Sequence, residues 1–126
     1  GQLDIAAIQE MAERAFEAIP ETLRDQVKNI AFHVLDLLDE ETCAAMDLES
    51  PYDLLGLYQG IPIDERSVLD VSQHVDRIFL YRLPLLDYAA AEGADIFDVV
   101  RNVLIHEIGH HFGFPDEEMD AIEFGG

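Results

Sequence analysis

The stretch DIFDVVRNVLIHEIGHHFGFPD, residues 95–116, decides how the rest of the chain is read. Asp95 and Asp98 can cap a helix start, and Val99, Val100, Val103, Leu104 and Ile105 recur at the spacing of a buried helical face. The helix is predicted to stop at Gly113, a residue able to enter the left-handed conformation that closes a helix. Within it stands HEIGH. His106 and His110 are four residues apart, so their rings leave one face about one turn apart, close enough to share a zinc ion. Glu107 is adjacent to the first of them and can reach water activated by the metal without ligating the metal itself, the position a general base needs.

A third ligand requires the chain to reverse after the helix, and Gly113 is where that can happen. Asp116 follows three residues on, with Pro115 stiffening the return. The string HEIGHHFGFPD then reads H-E-x-x-H-x-x-G-x-x-D, with a carboxylate where metzincins carry a last histidine. Two imidazoles and one carboxylate leave a fourth tetrahedral position for water, the composition of a catalytic zinc site. In shuffled sequences of this composition the extended pattern would arise in about 1 in 7,000, so chance is a poor account of it. Glu117, Glu118, Asp120 and Glu123 are further acidic candidates, but PDEEMDAIEF reads as a short closing helix with a solvated charged face. A thermolysin-like third ligand on a second, distant helix is set aside, because only ten residues follow Asp116. His111 lies about 100° around the helix from His110 and is read as contacting the site from outside or as surface.

Upstream, residues 3–19 place Ile5, Ile8, Ala12, Ala15, Phe16 and Ile19 on one helical face, ending before Pro20. Between Val27 and Leu38, Ile30, Phe32 and Val34 alternate with Asn29, Ala31 and His33, which predicts a strand with His33 partly buried or at the surface. DEETCAAMDLE suits a helical turn, with Cys43 as inert packing. Gly56 and Gly60 in LLGLYQGIP bracket a short strand, residues 62–76 read as a surface loop, and RIFLYR, residues 77–82, is a further strand. LPLLDYAAA gives one or two helical turns that Gly93 breaks.

At 126 residues the chain is read as a single domain, 1–126, able to bury a sizeable core without disulfides. Its 27 acidic against seven basic residues give a formal net charge of -20. Such a charge opposes phosphate backbones and anionic lipid surfaces, so neither nucleic acid nor membrane partners are expected, and it draws cationic ligands or basic peptides toward any cleft that concentrates it. A single cysteine, no membrane-length apolar run and no secretory pattern at the amino end fit a soluble chain in a reducing, cytoplasmic compartment.

With HEIGHHFGFPD, LLGLYQGIPIDER and DRIFLYRLPLL in place, the sequence resembles a family of small bacterial zincin-like metallopeptidases from about Val27 onward. The resemblance implies a compact α+β fold, a small sheet packed against helices including the motif helix, and a zinc ion, one per chain, at His106, His110 and Asp116. A second likeness, to the secreted zinc peptidase snapalysin, is confined to the motif. Unlike metzincins, the chain has no room for a methionine turn well past the third ligand, and Met119 stands too close to serve as one.

The expected reaction is hydrolysis of a peptide or protein substrate, with Glu107 accepting a proton from the water and returning it to the leaving amine. Tyr58, Tyr81 and His74 are candidate donors to the transition-state oxyanion. LGLYQG or RIFLYR could bind an extended peptide by edge pairing. The rival readings are a non-catalytic zinc-binding module and a metal-dependent ribonuclease, the latter opposed by the charge.

Overall fold

A computed structural model describes residues 3–27, 29–60, 75–115 and 117. In chain order these form α1 (Ile5–Ala18), α2 (Glu21–Arg24), β1 (Ile30–Leu35), α3 (Glu40–Ala45), a 3-10 turn (Pro51–Asp53), β2 (Gly56–Gln59), β3 (Asp76–Tyr81), α4 (Arg82–Glu92) and α5 (Ile96–His111). The result is the expected α+β architecture with a small mixed sheet. Its strand order is β1-β3-β2, with β3 parallel to β1 and antiparallel to β2. RIFLYR is thus the central strand, paired on both sides, and is not available for edge pairing with a peptide.

Alternation along β3 sorts the two sides of the sheet. Ile78 and Leu80 join Val34 in the main core, where α1 and α5 cover the sheet with Ile8, Ala12, Ala15, Val100, Leu104, Ile105 and Ile108. Phe79 and Tyr81 face the other way, into a smaller cluster with Leu38, Cys43, Leu48, Leu54 and Leu57. Cys43 is buried there, its Sγ 3.6 Å from the Leu48 carbonyl, as the packing role predicts. His33 is exposed and stacks on Phe79.

Local sequence accounts for the helix ends. The Asp4 side chain accepts from the Ala7 amide and Asp95 from the Phe97 amide, both at 2.8 Å, so each caps its helix. At the far end of α5, the Gly113 amide donates to His110 O and the Phe114 amide to Gly109 O, with Gly113 at φ 78°. This is the helix end predicted there, a Schellman closure through a left-handed Gly113.

Several boundaries differ from the sequence reading. The first strand is limited to Ile30–Leu35, and Ile5 is exposed while Met11 takes a place in the core, because the buried face of α1 follows Ile8, Met11, Ala12 and Ala15. The helical turn after β3 is a full α4 of 11 residues that starts at Arg82, with Pro84 tolerated in its first turn where no intrahelical amide is needed. Arg82 also holds Asp36 at 2.7 Å and the Leu3 carbonyl at 2.9 Å, tying α4 to the end of β1. Of the loop predicted over 62–76, only the last two residues are described, and Asp76 opens β3. Of the predicted closing helix, only Pro115 and Glu117 are described.

Close packing of α5 on β2 depends on Gly56. A Cβ there would stand 2.8 Å from Val103 Cγ1 and 3.1 Å from the Phe79 carbonyl. Gly56→Ala should therefore cost about 1–3 kcal/mol by forcing the helix and strand apart. Thermal unfolding followed by circular dichroism checks this; a melting temperature equal to wild type would show that the contact relaxes freely.

Candidate metal centre

α5 presents HEIGH toward the end of the sheet where β2 lies. The rings of His106 and His110 have centroids 5.8 Å apart and planes inclined by 53°. With a zinc–nitrogen bond of about 2.0–2.1 Å, each ring centre lies about 3.2 Å from a shared ion, so two rings can share it only within about 6.4 Å of each other. The observed separation meets that limit. The donor set also suits zinc, since neutral imidazole is a preferred ligand for it. Asp116, the predicted third ligand, lies outside the described residues. Among the described residues no group of three His, Cys, Asp or Glu side chains converges as a metal site.

Glu107 lies on the neighbouring face and is partly buried against β2. The Tyr58 backbone N–H donates to its Oε1 at 3.1 Å. The Tyr81 amide donates to Leu55 O, so Leu55, Leu57 and Gln59 turn their backbone groups toward β3, while those of Gly56 and Tyr58 point away from it. The amide that Glu107 engages is thus an outward-facing one, which pairing with β3 leaves over. Burial pushes the Glu107 carboxyl above the usual carboxylate range, and the Tyr58 amide and the charges of His110 and His106 pull it partly back.

Tyr58 and Tyr81, two of the three candidate oxyanion donors, are not brought together. Tyr58 is beside the motif, but its Oη donates to Asp76 Oδ2 at 2.7 Å. Its hydroxyl thus engages the carboxylate that opens β3, and its backbone amide is the group that meets Glu107. Tyr81 faces the opposite side of the sheet in the smaller cluster, where burial and the charge of Asp39 raise its phenol. It does not border the motif. His74 lies outside the described residues.

Asp76 and Gly60, which no motif marks, also border the site. Asp76, 5 % exposed, is the buried carboxylate that fixes the Tyr58 ring. His111 stacks on that ring at a centroid distance of 4.0 Å, which makes it a contact next to the site, one of its two expected roles. Gly60 leaves room for this stack, because a Cβ there would stand 2.8 Å from the His111 ring. Only three-dimensional proximity reveals these partners, since no spacing rule joins Tyr58 and Gly60 to Asp76 and His111 in distant segments.

The sequence pattern of the zincin-like metallopeptidase family matches residues 27–126. The chain belongs to this family. The match takes in the whole sheet, α4, α5 and the HEIGHHFGFPD string, while α1 precedes it. Comparison with curated proteins gives no match. This zincin-like chain therefore carries a metallopeptidase-type fold, in a family that takes its character from zinc. Among the described residues, no helix is long and apolar enough to cross a membrane.

Proposed function

We propose that this zincin-like protein is a zinc-dependent peptidase in which His106, His110 and Asp116 hold one zinc ion and Glu107 is the general base. The observation that carries the reading is the placement of the Glu107 carboxylate, partly desolvated beside the paired imidazoles and anchored through one oxygen to the Tyr58 amide. When bound, zinc supplies the Lewis acid that acidifies a water molecule and polarises a peptide carbonyl. Glu107 does the proton work. With Oε1 held by Tyr58, Oε2 accepts a proton from water and later gives it to the nitrogen of the departing amine. The upward displacement of its pKa brings it closer to neutrality, where proton acceptance and return are both feasible.

β2 supplies a means of holding an extended substrate. It is the terminal strand of the sheet among the described residues, and the backbone groups of Gly56 point away from β3, while the outward amide of Tyr58 is engaged by Glu107. A peptide laid along that side would be fixed by main-chain hydrogen bonds close to Glu107. A peptide partner also agrees with the charge of -20, which disfavours polyphosphate substrates.

Metal content measured by mass spectrometry on tag-free protein, beside a peptide-library cleavage assay, tests the reading. About one zinc per chain is expected, reduced by about tenfold or more in His106→Ala and in Asp116→Ala. Zinc at that stoichiometry without any Glu107-dependent cleavage would leave a zinc-binding module. Absence of zinc after its addition would remove the peptidase reading altogether.

A further inference from the structure

A cleft of about 440 Å³ opens beside His106, between α4 and α5 and next to Leu55 ahead of β2. Leu55, Val99, Val103 and the ring of Tyr88 give it apolar walls. Two carboxylates line it as well, Glu92 in the last turn of α4 and Asp98 in the first turn of α5. Both are exposed, and among the described residues neither is ion-paired and no lysine or arginine lines the cleft. We propose that this cleft receives the side chain of a lysine or arginine flanking the scissile peptide bond. The assignment rests on the peptidase reading for its link to a scissile bond, and adds to it the chemical class of the substrate residue.

Length and polarity select such a side chain. Asp98 and His106 stand on one side of α5 with Asn102 between them, at steps of four residues, so their backbones are about 12 Å apart along the helix. The lean of helical side chains toward the amino terminus is common to both, so this spacing carries over from the backbones to the side chains. A lysine or arginine side chain, extending about 6–7 Å from its Cα, lays its methylene stem along Val99 and Val103 while its charged end meets the carboxylates. A short cation would leave its charge against the apolar wall, and a neutral side chain would leave both carboxylates without a counter-charge. The amino-terminal dipole of α5 opposes a cation near Asp98, but it acts as about half a charge against two full carboxylates.

The test uses the full chain carrying Glu107→Gln, zinc-loaded, so that binding is read without turnover. Two fluorescent heptapeptides, N-acetylated and C-amidated to remove terminal charges, differ only in lysine or norleucine at the centre. Lysine is expected to bind about tenfold more tightly than norleucine. Adding Glu92→Gln and Asp98→Asn should bring the ratio to about one- to twofold, whereas Glu10→Gln with Glu17→Gln, the same charge change on the exposed side of α1, should leave it unchanged. Equal affinities, a ratio that survives the cleft substitutions, or no binding of either peptide at about 1 mM overturns the assignment. Cleavage of the same peptides by the wild-type chain separates the two readings. Lysine-dependent binding without cleavage overturns the peptidase and keeps the cleft; cleavage without lysine preference does the reverse.

Discussion

Glu107→Gln is expected to lower peptide cleavage by about 10²–10⁴-fold, the usual contribution of a positioned general base, while zinc content stays near wild type. The amide cannot accept a proton at neutral pH, yet its oxygen can still receive the hydrogen bond from the Tyr58 amide, so the site keeps its shape. The same substitution should raise the melting temperature of the zinc-free protein at pH 7 to 8. The sign follows from the displaced pKa. Burial raises the folded-state value, so the folded chain holds the proton more tightly than the unfolded one, and stability falls as pH rises from the ordinary carboxylate range through that raised value. Gln removes that loss. Wild-type turnover in the variant would dismiss the role of Glu107, and a lower melting temperature would show that its carboxylate is stabilised by more than the amide and the two imidazoles.

Leu104→Ala should cost about 2–5 kcal/mol and lower the melting temperature by about 8–20 °C. Leu104 is completely buried in the core that joins α5 to α1 and the sheet, two residues before His106. Truncation leaves a cavity under the helix that carries both imidazoles. Saturating zinc should recover part of the loss, since an ion that binds the folded chain stabilises it by mass action. Differential scanning calorimetry with and without zinc measures both effects. A shift of less than about 3 °C would mean that α5 is held mainly by its caps and the α4 contact.

The helix that matters most was legible because its signals are local. Asp95, the apolar positions from Val99 to Leu104 and the closing Gly113 each act within a few residues, and the structure shows the cap, the buried face and the left-handed turn. α4 was underestimated for the same reason in reverse. Its residues form a weakly amphipathic segment with Pro84 near the start, and its three turns depend on packing against α5. The order of the strands was not legible either. Nothing in RIFLYR marks it as central, because that depends on β1 and β2 arriving on either side of it from distant parts of the chain. Tyr58 shows the limit at the level of one residue. Its phenol, a natural choice for an oxyanion donor, is turned to buried Asp76, and its unremarkable backbone amide is what meets Glu107.

The sequence by itself determined the motif helix, the pairing of His106 with His110, the reversal at Gly113 and the family, because all of these follow from spacing along one continuous segment. Only the tertiary structure decided which side of Glu107 is held, which tyrosine lies beside the motif, and that a carboxylate-lined cleft opens next to His106. Those depend on contacts between residues tens of positions apart, whose meeting is set by how two layers bury their apolar faces.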